Sequence, residues 1–202
     1  VQEIEEARLK GIITEYIDDE KLKTMTFEFL KKYWSKYHAI KASKSGKYHH
    51  PVEQTEVYGT VNHTLRVLYL ASELYREEFT IDDVKNDYEK DCLLTAALIH
   101  DVGKINFYKN GFSYVKCDHS VDGANMAKEF GFPDKICELV LTHMHAWDEH
   151  SVDSCKCENN VKLARILAYS DYLASKKTID IPSVRPFQDN IIDKFSQLCP
   201  PQ

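Results

Sequence analysis

The strongest constraint on this chain is its hydrophobic rhythm. Apolar residues return at every third or fourth position through long uninterrupted stretches: Leu22, Met25, Phe29, Leu30, Tyr33 and Trp34 in one, Val61, Leu65, Leu68, Ala71 and Leu74 in another. A period near 3.6 puts such residues on one helical face, whereas a half-buried strand alternates at every second residue. Only 7 Gly and 6 Pro occur in 202 residues, so few positions can break the pattern. An almost all-α fold follows. The pattern predicts helices over about 2–16, 19–38, 60–77, 87–101, 118–130, 134–146 and 159–176, and a last amphipathic one near 187–197.

The breaks are chemically marked. Lys41 to Lys47 is rich in Lys, Ser and Gly and reads as a loop, which His49-His50-Pro51 continues because proline disfavours helix in the residue before it. Thr80-Ile81-Asp82-Asp83 looks like a helix N-cap. Gly103 is placed to stop the helix that ends at His100-Asp101. Phe132-Pro133-Asp134 separates two helices. Asn110-Gly111, flanked by aromatic residues and Val, predicts a short hairpin or ordered loop near 105–117. The expected organisation is an N-terminal helical extension over 1–45, a main domain over 46–180 and a C-terminal tail over 181–202 whose helix packs on that domain.

Composition narrows the class. With 43% apolar residues and 9 Phe, 12 Tyr and 2 Trp, the chain is not disordered. The longest apolar candidate, Cys92 to Ile99, falls far short of the roughly 18 residues of a membrane span. A formal net charge of −6 gives no general attraction to nucleic acid, although a local basic groove could supply one. Nothing at the N-terminus resembles a signal peptide, and a start at Val1 fits a trimmed chain or a piece of something longer. The 6 cysteines contain no CxxC pair, which fits a reduced, cytoplasmic chain. Cys155-Lys156-Cys157 with His150 upstream has poor zinc-site spacing, and a polar loop is the plainer reading.

Histidines 63, 100, 119, 143 and 145 fall on or near the helices that also carry the core. Asp101 follows the apolar run Leu93 to His100, and Asp171 interrupts the otherwise apolar helix Leu163 to Leu173. A buried carboxylate is costly unless paired or bound to a cation. One such aspartate is readily explained as a helix cap. The ensemble points elsewhere, because imidazole and carboxylate together form a ligand set for Zn, Fe, Mn, Co or Ni.

These residues resemble a family. His63 in NHTLRV, the doublet His100-Asp101 in ALIHDVGK, and Asp171 in LAYSDYLASK reproduce the H…HD…D pattern of HD-domain metal-dependent phosphohydrolases, over about residues 48–178. His119 in HSVDGANMAKEFGF and His143 in LVLTHMHAW resemble the extra histidines of the subset that holds two metals. Diadenosine polyphosphate hydrolases, cyclic-dinucleotide phosphodiesterases and myo-inositol oxygenase share that layout. The stretch KYHHPVEQTEVYGTVNHTLRV is similar to the entry loop of HD exoribonucleases, but the Gly-Gly-Leu-Leu run and the accompanying OB domain are missing. No GYP signature occurs either.

The resemblance implies an HD helical bundle and two divalent transition-metal ions. Asp101 would bridge them, His63, His100 and Asp171 would complete one site, and His119 and His143 the other. A hydroxide held between the ions would attack phosphorus in line. Lys104, three residues after Asp101, is placed to contact a phosphate and act beside Asp101 in catalysis. Arg66, one turn after His63, would meet either a supporting carboxylate or the substrate, and His50 would line the pocket mouth. The implied substrate is a small phosphorylated compound, a nucleotide in particular. Alternatives are an exonuclease-like phosphodiesterase, a non-catalytic regulatory module and a di-iron oxygenase on the same scaffold. Lys41, Lys44, Lys47, Lys104, Lys109 and Lys116 could form a basic funnel, and Phe107, Tyr108, Phe112 and Tyr114 could stack on a base or simply pack their loop.

Overall fold

The helix boundaries have local chemical causes. Asp19 caps α2 (Glu20–Tyr37) by accepting from Leu22 N at 2.8 Å. Asp118 caps α5 (His119–Phe130) by accepting from Ser120 N and Val121 N, and Gly131 ends that helix in the left-handed region at φ 100°. Pro133 starts α6 (Asp134–Thr142). The remaining helices are α1 (Gln2–Tyr16), α3 (Gly59–Glu78), α4 (Asp87–Ile99) and α7 (Glu158–Ala174). Short 3-10 turns cover Val52–Gln54 and Val102–Phe107. The computed structural model describes residues 2–43, 50–79, 87–109, 113–114, 118–144, 158–181 and 185–187.

The fold is the expected all-α bundle. The expected hairpin is present as β1 (Tyr108–Lys109) paired antiparallel with β2 (Ser113–Tyr114), Tyr108 facing Tyr114 across the ladder. Two helices are shorter than the periodicity suggests. α4 ends at Ile99, because the chain turns immediately through His100 and Asp101. α6 ends at Thr142 rather than near 146. The N-cap at Thr80 to Asp83, Asn110-Gly111, His49, His145, His150, the Cys155-Lys156-Cys157 segment and the tail helix lie outside the described residues. None of the described helices is long and apolar enough to cross a membrane.

α4 is the central rod. Cys92, Leu93, Leu94, Ala96, Ala97, Leu98 and Ile99 are all buried, so this helix is apolar all round and packs against α2, α3, α6 and α7. Burial pushes the Cys92 thiol up to about 12, and both Cys92 and Cys137 are free and buried. The core also takes in Leu9, Ile13, Phe29, Leu30 and Trp34 from α1 and α2, so the N-terminal helices share it.

Two close approaches bring the site-bearing segments together. An added Cβ at Gly103 would lie 2.1 Å from the His119 carbonyl oxygen and 2.7 Å from Gly123 N, so the turn after α4 rests directly on the first turns of α5. Gly103→Ala should therefore force backbone apart, at a cost on the order of 1–3 kcal/mol, the range seen for overpacked cores. Thermal denaturation should show a drop of several degrees. An unchanged midpoint would show that this contact has slack.

Candidate metal centre

Five helices deliver one polar cluster to an otherwise apolar interior. His63 comes from α3, His100 and Asp101 from the end of α4, His119 from the first residue of α5, His143 from the end of α6 and Asp171 from α7. His63, His100, Asp101, His143 and Asp171 are buried, and His119 is half-buried.

The helix ends explain how two of the imidazoles are oriented. The last carbonyls of a helix have no intrahelical donor. His100 Nδ1 donates to Ala97 O at 2.8 Å, and His143 Nδ1 donates to Val140 O at 2.6 Å. A carbonyl oxygen can only accept, so each Nδ1 carries the proton. Each Nε2 is then left with a lone pair.

Those lone pairs converge on Asp101. Its Oδ2 lies 3.5 Å from His100 Nε2 and 3.8 Å from His63 Nε2. Its Oδ1 lies 3.4 Å from His119 Nε2 and 3.8 Å from His143 Nε2. One carboxylate thus turns one oxygen toward each of two donor groups: His63 with His100, and His119 with His143. Asp171 Oδ1 lies beside the first group, 2.8 Å from His63 Nε2 and 3.9 Å from His100 Nε2.

These residues fit divalent metal. His100 Nε2 is buried without a hydrogen-bond partner and faces two carboxylate oxygens. An imidazole lone pair against two anionic acceptors is repulsive unless a cation joins them. In the second group His143 Nε2 and His119 Nε2 approach to 3.2 Å. That is close to the separation of two nitrogens sharing one ion at about 2.0–2.1 Å each.

The electrostatics keep the ligands in their binding forms. Burial lowers the pKa of His100 and His143 below the ordinary imidazole value. Burial, with the Lys104 ammonium nearby, lowers that of His119 to about 3. Burial opposes ionisation of Asp101, but Lys104 and the surrounding imidazoles more than offset it, and its pKa stands well below the carboxylate range. Asp171 is lowered too, because its bond from His63 outweighs burial.

The remaining expected residues fall in different places. Lys104 Nζ donates to Asp101 Oδ2 at 2.6 Å and to Ala42 O at 2.9 Å, so it stands at the centre and ties the 40–43 segment to it. His50 lies beside the first donor group, its ring 6.1 Å from that of His63. Arg66 meets a supporting carboxylate, the first of its two expected partners, and several carbonyls. Its guanidinium donates to Ala174 O, Lys176 O and Ile179 O at 3.1, 3.3 and 2.6 Å, and stands 3.7 Å from Glu53 Oε1. Carbonyls at and beyond the end of α7 accept from its Nε and Nη2, so Arg66 fastens α7 to α3. Of the proposed funnel lysines, Lys41 is exposed, Lys44, Lys47 and Lys116 lie outside the described residues, and only the backbone of Lys109 is described. The side chains of Phe107, Tyr108 and Tyr114, and all of Phe112, are likewise outside the described set.

The sequence reading missed two supporting residues. Gln54, fully buried, donates to Ala174 O and accepts from His50 Nδ1. Tyr37, also fully buried, shares a 2.7 Å hydrogen bond with Thr64, the neighbour of His63. Tyr37 lay on an apolar stripe and nothing marked its hydroxyl. Gln54 lay in a loop with no periodicity to flag it.

A family model for the HD domain matches residues 60–176, more than half of the chain. The chain belongs to the HD-domain family, whose members are in general metal-dependent phosphohydrolases. No curated protein and no solved structure matches it.

Two outcomes are expected. Asp101→Ala removes the one residue common to both donor groups, so elemental analysis after metal loading should find the bound divalent ion largely lost. Parent-like metal content would break the assignment. The second concerns metal-free protein. Imidazoles whose pKa is lowered by folding take up protons in the unfolded chain first, so stability should fall as pH drops below about 6.5. The slope is about 1.4 kcal/mol per pH unit for each imidazole held neutral, and it continues toward about 3 for His119. Urea midpoints from pH 7.5 to 4.5 test this, and a flat profile would contradict it.

Proposed function

We propose that the chain hydrolyses a phosphoester or phosphoanhydride bond in a small phosphorylated substrate, with a nucleotide as the favoured class. The observation that carries this reading is the division of Asp101: one oxygen toward each of two His-containing groups, with a lysine ammonium on the same carboxylate. His63, His100, Asp101 and Asp171 would hold one divalent ion, and Asp101, His119 and His143 a second. Such ions supply an acidified water and neutralise charge on phosphoryl oxygens.

The protein's own groups would do the rest. Lys104 has three ammonium protons. Asp101 and Ala42 O take two of them, and the third has no partner among the described residues. That third donor suits a phosphoryl oxygen, while the bond to Ala42 O keeps the ammonium in place. His50 stands at the same centre as a further substrate contact. The buried carbon framework around the cluster limits water and strengthens each charge interaction.

Substrate size follows from charge. A polyanion needs several cationic contacts, and its affinity falls steeply with salt. The chain is acidic overall, and Lys104 is the lysine that the described residues place at the centre.

The test is hydrolysis by the Mn-loaded protein of mononucleotides, dinucleotides and a labelled oligonucleotide at two salt concentrations. The small compounds should give the higher kcat/KM. Lys104→Ala should lower kcat or raise KM about tenfold or more, the loss expected for one charge-assisted hydrogen bond. If the oligonucleotide is better by about a hundredfold and loses that lead at high salt, the exonuclease-like reading replaces this one. Retained metal with no turnover of any compound would indicate a regulatory module.

A further inference from the structure

Gln54 is buried, and all of its polar groups are engaged. Its backbone N–H donates to Pro51 O and its carbonyl accepts from Ala42 N, both at 3.0 Å. Its side-chain Nε2 donates to Ala174 O at 2.9 Å, and its Oε1 meets His50 Nδ1 at 2.8 Å. The orientation of the amide is forced, because a carbonyl oxygen can only accept. Nε2 must therefore face Ala174, and Oε1 must face His50.

This fixes the imidazole in turn. An amide oxygen has no proton to give, so His50 Nδ1 must donate to it. The other nitrogen, Nε2, has no partner among the described residues. The His50 ring lies edge-to-face on that of His63, at an interplanar angle of 64°. His50 is nonetheless absent from both groups of converging ligand atoms. It stands beside the donor set without belonging to it.

The Gln54 side chain also registers His50 against two ligand-bearing helices. Ala174 O closes α7, three residues after Asp171, and accepts a second bond from Arg66 Nε on α3, three residues after His63. The Gln54 backbone is pressed against the start of α3 so tightly that a Cβ at Gly59 would come within 2.4 Å of its carbonyl oxygen. A fully buried amide is costly to desolvate, and an apolar residue would fill the space without that cost.

We infer that Gln54 is a positioning residue that holds His50 in its Nδ1–H tautomer, so that His50 Nε2 accepts a hydrogen bond from a hydroxyl of the phosphorylated substrate. The hydroxyl is selected by the chemistry: a ring nitrogen with a lone pair takes a donor, and phosphoryl oxygens are acceptors suited to Lys104. The identity of the substrate rests on the phosphohydrolase reading above, whereas the tautomer does not.

The first measurement needs no turnover. Long-range proton–nitrogen correlation spectra of histidine-labelled, Zn-loaded protein at pH 8 report which nitrogen of each imidazole carries the proton, and His50→Asn identifies the His50 signals. The parent should show His50 as Nδ1–H. Gln54→Leu should shift it to a mixture or to Nε2–H, while Gln54→Glu, which keeps an acceptor, should preserve Nδ1–H. A Gln54 that only packed would lower the melting temperature and leave the tautomer alone. Parent-like His50 signals in Gln54→Leu would overturn the inference. If that variant does not fold, an Nε2–H tautomer in the parent or in Gln54→Glu does the same.

The second measurement compares ribonucleoside monophosphates with their 2′- and 3′-deoxy counterparts, by KM in active protein and by calorimetric Kd in Zn-loaded protein. The parent should favour one hydroxylated form about tenfold. His50→Asn and Gln54→Leu should each lose that preference in both KM and Kd, and the double variant should be no worse than either single one. Equal binding of all forms by the parent would overturn the hydroxyl assignment. Absence of turnover with a parent-like tautomer would overturn only the phosphohydrolase reading.

Discussion

Everything at the centre depends on one buried carboxylate. Asp101 is 1% exposed and directly follows the end of the apolar helix α4. A lone ionised group in that position would be strongly destabilising. Its charge is tolerable because the Lys104 ammonium donates to it at 2.6 Å, and imidazoles from α3, α4, α5 and α6 stand around the pair. The converse also holds. Those imidazoles share a place because Asp101 offers two oxygens in different directions, and the helices pack so that each oxygen finds its own partners. The arrangement therefore serves packing and ligand geometry together.

Local helix chemistry prepares the ligands before any tertiary contact is considered. Placing a histidine just after the last helical residue lets its Nδ1 satisfy a carbonyl that would otherwise lack a donor. His100 does this for α4 and His143 for α6. The same bond settles the tautomer and leaves Nε2 as the ligating atom. It also accounts for α6 stopping at Thr142: Val140 O is occupied by the His143 side chain rather than carried into a further helical turn.

How far the sequence could be read depended on where the information lay. The six clustered residues were legible because they match the H…HD…H…H…D pattern of the family the sequence resembles, and an aspartate amid apolar residues such as Leu167, Ala168 and Leu173 is conspicuous. The hairpin was legible because Asn110-Gly111 between aromatic residues is a local turn signal in the sequence. Arg66 was legible only in part. Its neighbours in sequence say nothing of the carbonyls that accept from its Nε and Nη2, since these lie more than 100 positions away. Gln54 was hidden for the same reason, its acceptor at Ala174 being 120 residues distant. Residues whose partner is a backbone carbonyl leave no trace in the identity of that partner.

The N-terminal helices hold the start of α3, and through it the first ligand. Tyr58, immediately before α3, is the one non-glycine residue at positive φ (64°) among those described, a conformation costly for a bulky side chain. Its hydroxyl donates to Glu5 on α1, its backbone N–H to His38 O after α2, and its ring stacks on Phe187. Asn62, the residue before His63, exchanges two hydrogen bonds with the Phe187 backbone, while Arg8 of α1 covers the Phe187 ring. Tyr37 of α2 bonds Thr64 on the other side of His63. His63 is thus bracketed by residues tied to both ends of the chain. The family match begins only at residue 60, yet the helices before it bear on His63. A ligand on a helix is only as well placed as the first turn of that helix, and here that turn is held by Glu5, Tyr37, His38 and Tyr58 together with Phe187.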